Sequence, residues 1–244
     1  MEYQEKYQIQ YADCDETGTI KLQNLVDAFM HVSNRQLEHT KASSKAMNSA
    51  NLGWVVTQYQ MDIQRLPQVG EVVTLVTKPT GYNRFFEYRD FYLRFNGQEL
   101  VKIQSQWVIL DLEKRKIVPP DSELMASFES PLLAHNPRLP RIKVRDSYDK
   151  KRSYHVRYDD LDLNHHMTNS HYFSWMLDML EREYLNQHEL TKVDIKFSHE
   201  VLYGQDVRSE CELDGDTSYH LISQNGQSSA IAEFGWRKRQ DEEQ

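Results

Sequence analysis

Two copies of one sequence pattern are the feature that most constrains how this chain folds. Residues 7–15 and residues 154–162 align at an offset of 147 positions, and the two tyrosines and two aspartates of each segment coincide. The aligned positions are Tyr7, Tyr11, Asp13 and Asp15, which match Tyr154, Tyr158, Asp160 and Asp162. Self-similarity at a fixed offset indicates that one structural unit occurs twice. The fold must therefore place two similar units in one chain of 244 residues.

An amphipathic helix is predicted after each of these segments. Apolar residues recur there at three- and four-residue steps, which gives each helix one apolar face. The apolar positions are Leu22, Leu25, Val26, Phe29, Met30 and Leu37 in the first copy, and Tyr172, Phe173, Met176, Leu177, Leu180 and Tyr184 in the second. A stripe this wide is typical of a helix that packs against a sheet or another helix.

Strand patterns follow each predicted helix. Residues 55–63 alternate in a way that is mostly the period-two pattern of a half-buried strand. Further strand-like runs cover residues 71–77, 85–95 and 103–110 in the first copy, and 193–201, 204 onward, 219–223 and 230–236 in the second. Each copy is therefore predicted to be a strand, a helix and then four strands, which is an α+β fold.

The segment between the copies is rich in proline and weak in periodicity. Five of the seven prolines lie there, at positions 119, 120, 131, 137 and 140. We therefore predict an N-terminal unit over residues 1–118, a linker that crosses the surface over residues 119–150, and a C-terminal unit over residues 151–244. The linker ends in a basic stretch, because residues 138–152 contain seven lysines and arginines against two aspartates.

Composition and charge argue against several classes of protein. The net charge of -8 disfavours wholesale attraction to nucleic acid. The chain begins with a polar segment rather than a signal-peptide pattern, and no apolar run approaches the roughly 20 residues that span a bilayer. The two cysteines, Cys14 and Cys211, are too few for a disulfide framework and too far apart for a paired zinc motif. We expect a cytoplasmic protein without membrane insertion, metal or cofactor.

Residues 156–172 read VRYDDLDLNHHMTNSHY and resemble the signature of acyl-acyl-carrier-protein (acyl-ACP) thioesterases. The specific part is the order Asp-x-Asn-x-His, followed by Asn and an aromatic helix. Residues 53–70 resemble a first-copy strand of the same family, and residues 195–201 resemble its late catalytic strand. The resemblance implies a double hot dog fold, in which two tandem units each wrap an antiparallel sheet around a long helix.

The resemblance also implies a catalytic set of Asp162, Asn164, His166 and Glu200. Plant members of the family carry a cysteine directly after the glutamate, whereas this chain has Val201. A cysteine nucleophile at that position is therefore excluded.

The residue types of this set suit thioester hydrolysis, which needs an activated nucleophile, a donor to the oxyanion and a route for protons. The first three members are spaced by two, so that they share one side of an extended segment. We expect Glu200 to activate water or attack directly, His166 to orient it or relay its proton, and Asn164 to position the thioester or oxyanion. Asp162 would orient its neighbours.

Strand alternation does not by itself direct the Glu200 side chain toward Asp162, Asn164 and His166. If residues 193–201 form a regular strand, Glu200 shares a face with Asp194, Lys196 and Ser198, away from the apolar face. A β-bulge near His199 would re-aim it.

The first copy lacks most of the catalytic set. At the offset of 147, Asp15 matches Asp162, but Thr17 and Thr19 stand where the second copy has the amide and the imidazole. Alignment of Gly70 with Gly204 places Leu66 opposite the glutamate. We infer that the first copy binds and the second reacts, and the resemblance likewise assigns acyl-chain recognition to the first copy. The expected lining residues are Leu25, Phe29, Met30 and Trp54.

The expected function is hydrolysis of fatty acyl-ACP thioesters, with acyl carrier protein as the partner. Two hypotheses explain the basic linker: a solvated surface, or a docking site for the acidic carrier through Arg138, Arg141 and Lys143. The alternative functions are an acyl-CoA thioesterase and a non-catalytic acyl-binding or sensor module. Because two fused units supply the pairing that single-unit relatives obtain from two chains, both a monomer and a homodimer are compatible with the sequence.

Overall fold

The computed structural model describes residues 1–162 and 166–239. The first half begins with a strand and a short 3-10 turn, Tyr11–Asp13, and continues with one long helix, a short helix and four long strands. A three-residue strand and a third helix complete it. These elements are β1 (Tyr3–Gln8), α1 (Leu22–Leu37), α2 (Ser44–Ser49), β2 (Leu52–Ile63), β3 (Val72–Tyr82), β4 (Glu87–Phe95), β5 (Gln98–Asp111), β6 (Lys116–Val118) and α3 (Ser122–Ala126).

The second half repeats the order of the first. A strand and a 3-10 turn, Tyr158–Asp160, lead into two short helices and then four strands. These elements are β7 (Lys150–His155), α4 (Asn169–Leu177), α5 (Arg182–Gln187), β8 (His188–Phe197), β9 (Asp206–Asp214), β10 (Thr217–Gln224) and β11 (Gln227–Lys238). The predicted order of strand, helix and four strands is present in both halves.

All the strands join one 11-stranded antiparallel sheet. Its order is β1-β3-β4-β5-β2-β8-β11-β10-β9-β7, with β6 paired to β5. The two halves meet where β2 pairs with β8, and the order of strands outward from this pair is the same on both sides. A large antiparallel sheet with few helices packed against it confirms the predicted α+β double hot dog.

The core lies between the sheet and the long helix of the first half. Helix α1 packs against α4 and β3. Leu25 and Phe29 are fully buried, and the Phe29 ring lies 5.3 Å from that of Phe91 on β4. Burial of such side chains contributes about 1.5–3 kcal/mol each, so that this face of α1 holds the helix on the sheet.

The second-copy helix differs from the prediction because it breaks after Leu177. The Asp178 carboxylate accepts a hydrogen bond from the Tyr154 hydroxyl at 2.5 Å, and Arg152 donates to the Asp178 carbonyl at 3.0 Å. These bonds to the edge strand β7 satisfy the end of α4 in place of another helical turn. Leu180 remains buried, as its place in the apolar stripe requires, but it lies in the turn between α4 and α5.

The beginning of the predicted linker is packed rather than exposed. Asp121 accepts a hydrogen bond from the Leu124 amide at 3.1 Å and caps α3. Leu124, Met125 and Phe128 are buried in a second apolar cluster with side chains of the first half. The later part of the segment, over residues 133–149, has no helix or strand. The assignment of separate roles to the two halves stays a prediction.

Within residues 1–162 and 166–239, no helix combines the length and the hydropathy that a membrane span requires.

Candidate active site

Two hydrogen bonds between Asp162 and His166 close the loop that enters α4. The amide of Asp162 donates to the carbonyl of His166 at 2.8 Å, and the His166 amide donates to Oδ1 of Asp162 at 3.3 Å. Asp162 therefore fixes the backbone at His166. Asn164 lies outside the described residues.

A bulge brings Glu200 toward this loop. Strand β8 ends at Phe197, and the amides of Ser198 and His199 both donate to the Ser229 carbonyl, at 2.9 and 3.4 Å. Two residues opposite one is the pattern of a β-bulge, which re-aims the side chains that follow it. The chain then pairs with the loop, because the Met167 amide donates to the Val201 carbonyl at 2.9 Å.

The two elements place an imidazole against a carboxylate. Nε2 of His166 lies 3.2 Å from Oε2 of Glu200, and the two side chains are 18% and 27% exposed. An ion pair from Arg115 reaches the same oxygen of Glu200. Partial burial strengthens both interactions relative to open water.

Arg115 is a site residue that sequence reasoning missed. It lies in the turn between β5 and β6 with a φ of 54°, and its amide donates to the Asp111 carbonyl at 2.9 Å. Oδ1 of Asp111 also accepts from the amides of Glu113 and Lys114, at 3.1 and 2.8 Å. The turn thus projects Arg115 from the first half into the site of the second. Nothing in its local sequence signals a contact 85 residues away.

Glu200 lies between an outer hollow and an inner cavity. The outer hollow has a volume of about 490 Å³, the inner cavity about 430 Å³, and Arg115, His166 and Glu200 line both. A second cavity of about 430 Å³ shares part of its lining with the inner cavity. The shared residues are Gly53, Trp54, Asp162 and Asn169. We call the inner cavity, which contains His166 and Glu200, the reaction cavity. We call the second cavity the acyl cavity.

The four residues expected to line an acyl tunnel divide into two pairs. Met30 and Trp54 line the acyl cavity, where Trp54 is fixed by a hydrogen bond from its Nε1 to the Ala42 carbonyl at 3.2 Å. Leu25 and Phe29 are instead fully buried core residues and belong to the lining of neither cavity. Successive helical residues are rotated by about 100°, so that Met30 turns toward the cavity while Phe29 faces the sheet.

Asp160 has a structural environment. It is 1% exposed, and its carboxylate accepts hydrogen bonds from the amide and the guanidinium of Arg157, at 2.8 and 2.7 Å. Burial alone would raise the pKa of Asp160, but the bonds from Arg157 outweigh it and hold the pKa below its usual value. Nε2 of His171 lies 3.5 Å away. These contacts fix the turn before the loop.

The cysteines have the character of buried apolar side chains. Cys14 and Cys211 are both free and buried, and burial raises the pKa of Cys211 to about 12. A thiol of this kind is a poor nucleophile at neutral pH. In the described ranges, no three His, Cys, Asp or Glu side chains are grouped so as to hold a metal ion.

The basic residues of the linker also divide into two groups. Four of the seven pair with carboxylates: Arg145, Lys150, Lys151 and Arg152. Arg138, Arg141 and Lys143 are exposed and form no ion pair with a described residue. These last three are the residues predicted to dock a carrier.

Comparison with known families agrees with this geometry. The sequence model of the acyl-ACP thioesterase N-terminal domain matches residues 1–128, and that of the C-terminal domain matches residues 143–238. The chain belongs to the acyl-ACP thioesterase family. The resemblance seen in the signature of residues 156–172 is thereby confirmed.

Curated relatives in the acyl-ACP thioesterase family are distant in sequence. An acyl-[acyl-carrier-protein] hydrolase from Cuphea viscosissima is 22% identical over 97% of this chain, and an oleoyl-acyl carrier protein thioesterase from Coriandrum sativum is 24% identical over 96%. The chain spans 63% and 69% of the lengths of these two relatives.

Two solved structures match the chain over nearly its whole length. A putative oleoyl thioesterase from Lactobacillus plantarum is 36% identical, with a TM-score of 0.94 over 99% of this chain and 98% of that one. The 12:0-ACP thioesterase from Umbellularia californica is 17% identical, with a TM-score of 0.86 over 98% of both chains, and shares the fold.

Proposed function

We propose that this protein hydrolyses fatty acyl-ACP thioesters in fatty acid biosynthesis and releases free fatty acid and the carrier thiol. The observation that carries the proposal is the contact of His166 and Arg115 with one oxygen of Glu200, at the junction of an outer hollow and an inner cavity. A thioester held there would have its carrier arm in the hollow and its chain inside. Family membership supports the same reaction.

Glu200 is proposed as the general base. His166 and Arg115 both contact Oε2, which leaves Oε1 to accept a proton from water. The water oxygen then attacks the carbonyl carbon, the C–S bond breaks, and the proton passes to the departing thiolate. The contacts with Arg115 and His166 hold the carboxylate in one orientation, which a general base requires.

The remaining members of the set have positioning roles in this proposal. Asp162 holds the His166 backbone, so that the imidazole faces Glu200. Asn164, predicted from the family signature, would donate to the oxyanion. The N-terminus of α4 at Asn169 lines both cavities, and its amides offer positive charge to the same region.

The acyl chain is proposed to occupy the acyl cavity in the first half. A volume of about 430 Å³ is in the range of small-molecule sites. Met30 and Trp54 would contact the chain directly, whereas Leu25 and Phe29 support α1 from behind. We expect one chain to form a complete functional unit, either as a monomer or within a homodimer, and we propose the cytoplasm as its location.

The exposed linker cations are proposed to dock the acidic carrier. The linker crosses the middle of the sheet, where Nε2 of Gln58 donates to the Pro140 carbonyl at 2.9 Å. A carrier bound to Arg138, Arg141 and Lys143 would therefore lie against the linker where it crosses the sheet.

The docking proposal is tested by reversing these three charges to glutamate. We expect a higher KM for acyl-ACP with little change for short soluble thioesters, because steering acts only on the charged carrier. Lys6→Glu, an exposed reversal outside the linker, is the control. Equal losses on both substrate types would defeat the docking role.

The reaction itself is tested by thiol release from a panel of acyl-ACP and matched acyl-CoA thioesters. Wild-type protein should turn over acyl-ACP, and Glu200→Gln should lose turnover while keeping the wild-type unfolding profile. Preference for CoA would favour the acyl-CoA thioesterase. Tight acyl binding without turnover on either carrier would favour a sensor.

A further inference from the structure

The lining of the acyl cavity includes two buried ionisable residues of β4, Glu87 and Arg89. Exposed side chains of α1 and α2, such as His31, Asn34 and Asn48, also belong to the lining. Aromatic side chains contribute much of its apolar surface. These are Trp54, Tyr59, Trp107 and Phe128.

One buried carboxyl oxygen of Glu87 has no hydrogen-bonding partner within residues 1–162 and 166–239. The side chain is 2% exposed, and Oε1 makes no hydrogen bond to any described residue. Arg89 is equally buried, but it donates to Gln36 and, at 2.8 Å, to Thr77. A buried polar atom without a partner is costly and therefore rare in native proteins. Its position on a cavity wall points to a partner supplied from the cavity.

The protonation state of Glu87 narrows the chemistry of that partner. Burial raises its pKa to about 8, although Arg89 opposes the shift. At neutral pH the group is therefore mostly a neutral carboxylic acid, which has one donor and further acceptor capacity. A hydroxyl group satisfies both functions. A hydrocarbon chain satisfies neither, and a carboxylate would place a second acid beside the first.

We propose that the acyl cavity binds fatty acyl chains that carry a hydroxyl group remote from the thioester, with Glu87 as the hydrogen-bonding partner of that hydroxyl. This inference rests on the proposed thioesterase function. Glu87 and Arg89 line the acyl cavity but not the reaction cavity that contains His166 and Glu200. The oxygen recognised by Glu87 therefore lies along the chain or at its far end, and not next to the reacting carbonyl.

The test compares acyl-ACP thioesters of one chain length, unsubstituted or hydroxylated at successive carbons. For wild-type protein, we expect at least one positional isomer to exceed the unsubstituted chain in kcat/KM by about tenfold, as for one buried hydrogen bond. Glu87→Leu should abolish or reverse that preference, since an apolar wall favours the plain chain. Glu87→Gln keeps a donor and an acceptor and should retain most of it. Glu99→Leu, at an exposed glutamate on β5, is the matched control.

Binding of the free acids separates this proposal from the proposed reaction. Calorimetry with hydroxylated and unsubstituted fatty acids measures the binding preference without turnover. If the protein proves inactive, the thioesterase function is wrong, but the role of Glu87 in hydroxyl binding can still be measured. If Glu87→Leu does not fold, Glu87→Met and Glu87→Gln give the same contrast. Equal kcat/KM and equal Kd for all isomers in the wild type, or an unchanged preference in a folded apolar variant, would overturn the proposal.

Discussion

The loops that enter the first helix of each half have the same backbone and different chemistry. The amide of Asp15 donates to the Thr19 carbonyl at 2.8 Å, and the amide of Asp162 donates to the His166 carbonyl at 2.8 Å. Both aspartates also accept a hydrogen bond from a loop amide, that of Thr19 at 3.2 Å and that of His166 at 3.3 Å. The repeat at an offset of 147 is therefore a repeat of hydrogen bonds as well as of residue types.

The strand ends that face these loops also correspond. The Ile20 amide donates to the Pro67 carbonyl at 3.0 Å, and the Met167 amide donates to the Val201 carbonyl at 2.9 Å. Leu66 precedes the first of these carbonyl residues and Glu200 the second. The backbone thus places Leu66 and Glu200 at equivalent positions in the two halves, but of these two side chains only Glu200 is a carboxylate.

The first half keeps a cavity without keeping the reactive groups. Asp15, Thr19 and Leu66 line a cavity of about 320 Å³. Oγ1 of Thr17 donates to Oδ1 of Asp15 at 2.7 Å, so that this aspartate closes its own loop. The two halves therefore share a loop backbone and a cavity at either end of the central β2–β8 pair, and they differ in the side chains that face each cavity.

The largest expected effect is a difference between two matched alanine substitutions. His166→Ala should lower kcat by about 10²–10⁴-fold, the range for loss of an acid–base group. Thr19→Ala, at the corresponding position of the first half, should leave kcat unchanged. Thiol release on one acyl-ACP substrate measures both. A comparable loss in the two variants would mean that the first loop also takes part in the reaction.

The next effect concerns Arg115, which lies in the first half and contacts Glu200 in the second half. Arg115→Gln should lower kcat/KM by about tenfold, since the ion pair is partly exposed and screened. The neighbouring Lys114→Gln is the control. Thiol release from one acyl-ACP substrate measures both variants. An unchanged kcat/KM in folded Arg115→Gln would mean that the contact with Glu200 does not contribute to turnover.

The parts of this molecule that sequence could predict are those with a local or repeated signal. The strands follow alternation, and the offset of 147 places Asp15 and Asp162 in equivalent loops that the structure contains. The pairing and register of strands that are far apart in the sequence cannot be predicted from the pattern of either strand alone. The β2–β8 pairing that joins the halves could be expected only through the family resemblance.

The features that sequence could not predict depend on contacts between distant segments. The apolar stripe of the second copy continues to Tyr184, but the bonds of Asp178 to β7 end the helix at Leu177. Arg115 reaches Glu200 from a turn whose sequence has no functional mark. Glu87 has the local pattern of any polar strand residue, and its burial becomes evident only when the cavity is formed.

A smaller effect is expected for the aspartates that fix the turns before the two loops. Asp160 is buried, whereas its counterpart Asp13 is half-buried and accepts from the Tyr7 hydroxyl at 2.8 Å and the Gln10 amide at 3.0 Å. Asp160→Ala should lower the free energy of unfolding by about 1.5–3 kcal/mol, because it removes the charge-assisted hydrogen bonds that Arg157 donates to a buried carboxylate. Asp13→Ala should cost less, about 1 kcal/mol. Urea unfolding measures both, and equal costs would show that burial does not distinguish the two turns.

The smallest effect concerns a histidine that the second half has where the first has an apolar ring. His220 on β10 pairs with Cys211, and Phe91 on β4 pairs with Thr77. The alignment of Gly70 with Gly204 also aligns Thr77 with Cys211, so His220 and Phe91 occupy equivalent positions in the two halves of the sheet. Burial lowers the pKa of His220 to about 3. Its contribution to stability is therefore complete above the unfolded-state pKa of about 6.5 and is lost as the pH falls from there toward 3, since only the unfolded chain gains the proton.

His220→Phe makes the second half like the first at this position and should remove that pH dependence. The variant loses the hydrogen bond between Nε2 and Oγ of Ser218, 2.8 Å long, so that it can be less stable than the wild type at pH 8. On going from pH 8 to pH 5.5, however, the difference should shift in favour of the variant by about 1.4 kcal/mol, one pH unit of linkage. Urea unfolding at both pH values measures this shift. A parallel loss of stability in the two proteins would mean that His220 binds its proton in the folded state and that this buried site is not apolar in character.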